Sequence, residues 1–287
     1  MNIPSKYRIL PELVPASFDI TRSAASYTLA PKKISYSDWF EDFVRRIRDC
    51  VANRKFFPII RMSDGEYLFL LGQQWPSPRE DLPRYFKQIL LLLRAKWIPH
   101  FSSFQASTSP GVSSGYYNKN EWRRGRAIFE EGLEFTLQAG LLAAHLTFGP
   151  KPFQEKYHPA FGKWLSFKGH SLTLENYVPF YFVYRLLQFP MILGLLSGRR
   201  ILVVHSASGG SQNKISEYLL NCGARSVDWL RISADRSLFD RVSSDCINKE
   251  YDLCLLGAGV GKFGLVQQLS YLSCPVIDAG YYFVAWE

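Results

Sequence analysis

The chain lacks the cysteine and histidine spacings of a metal or redox site. Its five cysteines are spread over 287 residues without a C-x-x-C pair, which excludes a zinc ribbon and a thioredoxin-like motif. Widely spaced cysteines suit a reducing compartment, so we expect a cytoplasmic protein. The five histidines include no H-E-x-x-H motif, which argues against a zincin-type hydrolase.

Long apolar runs without charge are also missing. The nearest candidate, residues 177–196, is interrupted by two prolines, Arg185 and Gln188. A membrane span needs roughly 18 or more apolar residues with few charges, so we predict buried core for this stretch. No apolar signal-peptide segment is visible at the N-terminus, and no repeat appears that would indicate a solenoid or a propeller.

No run of five or more basic residues occurs, although 34 Lys and Arg outnumber 25 Asp and Glu and give a net charge of +9. This balance favours anionic partners such as nucleotide phosphates, nucleic acid or an anionic membrane face. Because the charge is scattered, we expect most basic side chains on solvated helix faces. Nucleic acid is therefore not the expected partner, whereas a peripheral membrane contact is compatible with the charge.

The regular part of the chain begins near residue 35. Residues 1–34 contain four prolines and little periodicity, so we expect an N-terminal extension followed by a single α/β domain over residues 35–287. The patterns in the first part of this domain predict helices over 35–51, 82–97 and 120–138, strands over 56–60 and 141–148, and a loop over 149–171.

Strands and helices alternate in the last third. The predicted strands cover residues 200–205, 227–232, 251–256 and 275–278, with helices over 212–222 and 263–272. This alternation predicts parallel βαβ units and a Rossmann-like α/β fold, in which a parallel sheet is flanked by helices. In such sheets ligands bind at the carboxyl ends of the strands.

Two carboxylates flank a glycine directly after the strand predicted at 56–60. Asp64 and Glu66 on either side of Gly65 offer the oxygen ligands that Mn²⁺ and Mg²⁺ prefer. Such a cation could neutralise a leaving diphosphate, and Arg61 could bind a phosphate. The alternative is that Asp64 caps the next helix and Glu66 stabilises its positive end.

Two segments of small residues follow predicted strands. The turn at residues 206–211 has the exposed backbone N–H groups that suit a phosphate, or it is an ordinary βα turn. Gly259, Gly261 and Gly264 fit G-x-G-x-x-G, and Asp278 follows Gly259 by 19 residues. This spacing is close to a dinucleotide fingerprint, although it lies in the last βα unit rather than the first. The alternative is a structural turn.

The residues above resemble a known family. Arg61-Met62-Ser63-Asp64-Gly65-Glu66 is similar to the Arg-x-x-Asp-Gly-Glu segment of the GT-D-type bacterial glycosyltransferases. The C-terminal order also resembles that family: a strand at 201–204 with its small-residue turn, a strand leading into the glycine loop with Lys262, and Val276-Ile277-Asp278-Ala279-Gly280. The similarity covers roughly residues 40–287 in the order of elements.

The resemblance implies metal-dependent transfer of a sugar from a nucleotide-diphosphate sugar. It gives Asp64 and Glu66 the role of ligands to Mn²⁺ or Mg²⁺ and to the diphosphate, and it makes Asp278 a candidate general base or sugar contact. The expected donor contacts are Arg61, Ser63, Gly65, Ser206, Ser208, Gly209, Gly257 and Lys262.

The expected acceptor is a glycan or lipid-linked glycan, in the synthesis of bacterial surface polysaccharide or glycoprotein glycans at the inner face of the membrane. Two alternatives remain. One is another Rossmann-like enzyme, a methyltransferase or dehydrogenase that binds its cofactor at the Gly259 loop. The other is a non-catalytic nucleic-acid-binding module, which is suggested only by the charge.

Overall fold

Seven parallel strands form the central sheet of the protein in a computed structural model, which describes residues 17–19, 33–70, 119–144, 158–242 and 250–287. The strands are β3 (Phe57–Met62), β4 (Leu141–Ala144), β5 (Tyr177–Pro179), β6 (Arg200–His205), β7 (Ser226–Arg231), β8 (Leu253–Gly257) and β9 (Pro275–Asp278). Before them, β1 (Ser17–Asp19) pairs antiparallel with β2 (Lys33–Ser35).

The strand order across the sheet is β5-β4-β3-β9-β8-β6-β7, and every neighbouring pair is parallel. All residues of β3, β8 and β9 are buried. Burial on both faces explains why these strands are mostly apolar rather than alternating; the charged residues are Arg61 in β3 and Asp278 at the end of β9. The predicted Rossmann-like α/β class is therefore confirmed.

Helices precede, connect and follow the strands. They are α1 (Tyr36–Ala52), α2 (Asp64–Leu70), α3 (Lys119–Ala139), α4 (His158–Lys168), α5 (Phe180–Leu186), α6 (Met191–Leu196), α7 (Gly209–Asn221), α8 (Lys262–Val266) and α9 (Tyr282–Trp286). Short 3-10 helices occupy Ser237–Phe239 and Gly259–Gly261. The helices predicted over 35–51 and 120–138 are confirmed, whereas the helix predicted over 82–97 and the second half of the strand predicted over 141–148 lie outside the described residues.

The loop predicted over residues 149–171 is wrong in its second half, where α4 forms. Pro159 is the second residue of this helix, a position in the first turn where proline removes no helical hydrogen bond. Phe161, Trp164 and Leu165 follow at helical spacing and are buried. Their packing outweighs the prolines and glycines that favoured a loop. The helix predicted over 263–272 is shorter in the structure, where α8 covers only Lys262–Val266.

The apolar stretch at 177–196 divides into β5, α5 and α6, and most of its apolar side chains are buried. The prediction of buried core is confirmed. Within the residues that the structure describes, every helix is too short or too polar to cross a membrane.

The connections of the sheet diverge between the neighbouring strands β6 and β8. From the carboxyl end of β6 the chain continues to β7 on one side, and from the carboxyl end of β8 it continues to β9 on the other. In open parallel sheets, ligands bind outside the carboxyl ends of the strands at such a switch point. The topology therefore predicts a ligand site at the carboxyl ends of β6 and β8 and of their neighbours β7 and β9.

Candidate functional site

Four charged side chains meet at the carboxyl ends of the central strands. Arg61 lies near the end of β3 and Glu66 in α2, while Lys262 begins α8 and Asp278 ends β9. Each side chain belongs to a residue at most 5% exposed. We call these four residues the strand-end charge cluster.

The cluster is held together by direct contacts between opposite charges. Lys262 Nζ lies 2.7 Å from Glu66 Oε1 and 2.8 Å from Asp278 Oδ2. Arg61 Nη2 donates to Asp278 Oδ1 at 3.2 Å, and the Arg61 backbone N–H donates to Asp278 Oδ2 at 3.1 Å. Two cations thus balance two carboxylates, which is the condition under which buried charges are tolerated.

Asp278 is ionised in this setting. Burial raises the pKa of its carboxyl, but the charges of Arg61 and Lys262 outweigh burial and hold the pKa below its ordinary value. A carboxylate with a lowered pKa and two cationic partners is a weak proton acceptor. These contacts suit Asp278 to holding Arg61 and Lys262 in place rather than to general-base catalysis.

Arg61 is fixed between Asp278 and an aromatic wall. Its guanidinium lies 5.4 Å from the ring centre of Phe180 and 4.8 Å from that of Tyr184, within the range of cation–π contacts. Burial lowers the pKa of Arg61, but Asp278 and Tyr184 outweigh this effect and raise it. Gly280 permits the arrangement: its φ is +44°, and a Cβ there would lie 1.8 Å from Arg61 Nη2.

Glu66 closes the first turn of α2. Its Oε2 accepts hydrogen bonds from the backbone N–H and the hydroxyl of Ser63, both at 2.9 Å. Ser63 directly precedes the helix, so the pair has the spacing and contact of a capping box. Gly65 is buried within the same turn. Asp64 is the first residue of α2, and its side chain lies outside the described part of the chain.

The glycines after β8 serve close packing. A Cβ on Gly261 would lie 2.0 Å from Ser237 Oγ, and one on Gly264 would lie 2.5 Å from the Leu238 carbonyl oxygen. The space beside both glycines is therefore filled by the 3-10 helix at Ser237–Phe239. These contacts favour the structural turn over a dinucleotide loop.

Gly257 and His205, at the ends of β8 and β6, both pack against Phe283. A Cβ on Gly257 would lie 2.4 Å from the Phe283 ring, and the His205 ring packs against Phe283 in a tilted arrangement with 4.4 Å between centres. The His205 Nδ1 accepts the backbone N–H of Ala207 at 3.1 Å. Burial lowers the pKa of His205 to about 4, so it is neutral at pH 7 and stabilises the turn after β6.

An open cleft of about 480 Å³ lies at the carboxyl ends of β6 and β7, within the range of small-molecule sites. It is lined by Ser206, Leu230, Arg231, Ile232, Ser233, Ala234, Asp240, Arg241 and Val242. We call it the β6–β7 cleft. Ser208 and Gly209 are exposed next to Ser206, at the start of α7.

The charged residues of the β6–β7 cleft differ in their contacts. The Asp240 carboxylate is hydrogen-bonded within the protein, since it accepts the backbone N–H of Ser233 at 2.6 Å and the Ser233 hydroxyl at 2.7 Å. Arg231 and Arg241 are exposed, and neither forms an ion pair with another described residue. The cleft therefore offers two cations to an anionic ligand.

Eight of the predicted site residues fall into two groups. Arg61, Ser63, Glu66, Lys262 and Asp278 meet in or beside the strand-end charge cluster, whereas Ser206, Ser208 and Gly209 lie at the turn after β6. Sequence reasoning missed Arg231, Arg241 and the aromatic wall. Arg231 ends β7, so the rule that strand ends line the ligand crevice could have identified it.

Among the described residues, the donor atoms around Glu66 do not form a divalent-cation site. Lys262 occupies Oε1 and Ser63 occupies Oε2. In the described ranges, no three His, Cys, Asp or Glu side chains are placed to share a metal ion. The oxygen ligands that Mn²⁺ or Mg²⁺ would need are thus already engaged by protein donors at Glu66.

No protein-family model matches the chain, and no curated protein matches it either. The chain is similar to a solved structure described as the selenomethionine-substituted structure of domain of unknown function 1792 (DUF1792), with 14% identity and a TM-score of 0.43. That similarity covers 84% of this chain and 83% of the other. A TM-score below 0.5 is too low for this similarity to indicate a function.

Proposed function

We propose that the protein is a glycosyltransferase that moves a sugar from a nucleotide-diphosphate sugar to a hydroxyl of a glycan or lipid-linked glycan. One observation supports this most. Arg61 and Asp278, 217 residues apart, touch in one buried cluster. They belong to the two segments that carry the resemblance to GT-D-type glycosyltransferases, so the residues behind that resemblance form a single site.

In this proposal the donor nucleoside binds in the β6–β7 cleft, where the exposed Arg231 and Arg241 would attract its phosphates. Neighbouring strands lie about 4.8 Å apart, so the cleft is about 12 Å from the end of β9. An extended nucleoside diphosphate spans a comparable length. The diphosphate would therefore point along the strand ends toward Lys262, with Ser206, Ser208 and Gly209 beside it.

In the proposed reaction, the acceptor hydroxyl oxygen forms a bond to the anomeric carbon of the donor sugar. The bond between that carbon and the diphosphate oxygen breaks, its electron pair leaves with the diphosphate, and the hydroxyl proton passes to a base or to water. Arg61 and Lys262 are cations whose positions are set before the reaction. Fixed positive charge beside a developing anion is an effective way to lower the barrier.

The resemblance also implies Mn²⁺ or Mg²⁺, with Asp64 and Glu66 as ligands. Such an ion would neutralise charge on the departing diphosphate when bound. Because both oxygens of Glu66 are engaged, no step proposed here depends on it. A role in polysaccharide or glycoprotein glycan synthesis at the inner membrane face stays a prediction from the resemblance.

The proposal is tested by the thermal midpoint of the full chain with a panel of nucleotide sugars, free nucleotides, nicotinamide dinucleotides and S-adenosylmethionine. A ligand at one hundred times its Kd stabilises the folded state by about 2.7 kcal/mol. We expect a shift with one class of nucleotide-diphosphate sugar, followed by release of the nucleoside diphosphate when an acceptor glycan is added. A shift with only a nicotinamide or methyl-donor cofactor would replace the proposal with the corresponding enzyme.

A further inference from the structure

Lys262 is a buried lysine with two carboxylate partners. Its ammonium lies 2.7 Å from Glu66 Oε1 and 2.8 Å from Asp278 Oδ2, the distances of charge-assisted hydrogen bonds. The residue is 4% exposed, so its ammonium is surrounded by protein rather than by solvent. The two carboxylates therefore fix the ammonium at one point between β9 and α2.

That point is where a divalent cation shared by Glu66 and Asp278 would have to lie. The other carboxylate oxygens are engaged as well: Glu66 Oε2 accepts from Ser63, and Asp278 Oδ1 accepts from Arg61. All four carboxylate oxygens of the cluster thus have protein donors, which use six of the roughly eight lone-pair positions of the two carboxylates. A metal bound by Glu66 and Asp278 together would have to displace the Lys262 ammonium that lies between them.

The charge balance leads to the same conclusion. Arg61 and Lys262 already neutralise Glu66 and Asp278 within the cluster. A divalent ion added to these four residues would bring two positive charges beyond those that Glu66 and Asp278 balance, close to two existing cations. Repulsion at such distances is strong where water is largely excluded, so the ammonium and the metal exclude each other.

We propose that Lys262 is the resident cation of the site and that Glu66 is a partner of Lys262 rather than a metal ligand. An ammonium has three N–H donors, and two are used by Glu66 and Asp278. The third has no acceptor among the described residues. The third N–H is therefore open to a donor diphosphate, an assignment that rests on the proposed function, whereas the exclusion of metal from Glu66 does not.

The test is a Mn²⁺ titration of the full-length protein, followed by the electron paramagnetic resonance signal of free Mn²⁺. The variants are Glu66→Gln, Lys262→Met and the double variant, with Glu217→Gln as a control because Glu217 is an exposed carboxylate on α7. Lys262→Met removes the ammonium and leaves two converging carboxylates. We expect it to bind Mn²⁺ at least tenfold more tightly than wild type and the double variant to lose that gain.

We also expect wild type and Glu66→Gln to bind Mn²⁺ with affinities equal within about twofold, since Glu66 is not a ligand. This comparison does not require Lys262→Met to fold. The inference is overturned if Glu66→Gln weakens Mn²⁺ binding tenfold, or if folded Lys262→Met shows no gain. Failure of wild type to bind any nucleotide would remove the glycosyltransferase proposal but would leave the Mn²⁺ comparison decisive.

Discussion

The strand-end charge cluster and the β6–β7 cleft hold charge in opposite ways. In the cluster, every charged side chain is buried and paired with an opposite charge. In the cleft, Arg231 and Arg241 are exposed and form no ion pair with another described residue. The cluster therefore depends on charges for its own integrity, whereas the cleft has charges to offer to a ligand.

The difference has an energetic consequence. Removing one partner of a buried pair typically costs about 3–5 kcal/mol, because the remaining charge is left uncompensated. Removing an exposed charge usually changes stability by less than about 0.5 kcal/mol. Substitutions in the cluster should therefore appear mainly as lost stability, and substitutions in the cleft mainly as lost affinity.

The largest expected effect is that of Asp278→Asn. This change leaves Arg61 and Lys262 buried with one carboxylate between them, so we expect the free energy of unfolding to fall by about 3–5 kcal/mol. Urea denaturation measures it, with Glu217→Gln as the exposed control. A loss below about 1 kcal/mol would contradict the conclusion that Asp278 compensates the buried charges of Arg61 and Lys262.

The same variant should change the pH dependence of stability. The folded pKa of Asp278 lies below its ordinary value, so its contribution is fully present above the unfolded pKa of about 3.9. That contribution is lost as the pH falls through the folded pKa. Wild type should therefore lose more stability below about pH 4 than Asp278→Asn does, and parallel acid denaturation curves would contradict this.

Gly280→Ala should have the next largest effect. Its φ of +44° is unfavourable for alanine, and the added Cβ would lie 1.8 Å from Arg61 Nη2. Gly198 is the matched control, because its φ is +71° and nothing lies within 4 Å of a Cβ there. We expect about 1–2 kcal/mol of backbone strain for Gly198→Ala and a clearly larger loss for Gly280→Ala. Equal losses would mean that Arg61 can move away.

Arg231→Ala tests the β6–β7 cleft, the second region of the comparison. We expect the nucleotide-sugar affinity to fall about tenfold, or about 1.4 kcal/mol, while the thermal midpoint without ligand is nearly unchanged. Arg225→Ala is the control, because Arg225 is exposed just before β7 and therefore lies at the opposite end of the same strand. Isothermal titration calorimetry measures the affinity. Equal affinity in both variants would place the nucleotide elsewhere.

The smallest expected effect distinguishes two serines that precede helices. Ser63 donates its hydroxyl to Glu66, whereas Ser208 makes no side-chain cap contact at the start of α7. Ser63→Ala should cost about 1 kcal/mol and Ser208→Ala close to nothing, by urea denaturation. A similar cost for both would indicate that the Ser63–Glu66 contact adds little to the cluster.

Local patterns predicted much of the secondary structure. The strand expected at 275–278 is the observed β9, and the apolar stripe over 35–51 forms α1. The loop expected at 149–171 failed where the buried face of α4 outweighed proline and glycine. Composition is a weak guide when tertiary packing supplies an apolar face to bury.

The site was predicted in its parts but not in its contacts. Arg61, Glu66, Lys262 and Asp278 each stand out in the sequence, and Asp278 could serve equally there as a base, a cap or an ion-pair partner. Only the contacts with Arg61 and Lys262 distinguish these roles. Lys262 was expected to face a phosphate, and the structure adds its bridge between Glu66 and Asp278.

The sequence by itself determined the α/β class, because hydrophobic periodicity and turn residues act over a few neighbouring positions. Only the tertiary structure decided which strand ends meet. The insertion of β9 between β3 and β8 brings Arg61 and Asp278 together across 217 residues. No local pattern encodes that order, since it depends on how all seven strands bury their two faces at once. The charge balance of the site, and with it the place of Lys262, follows from that order.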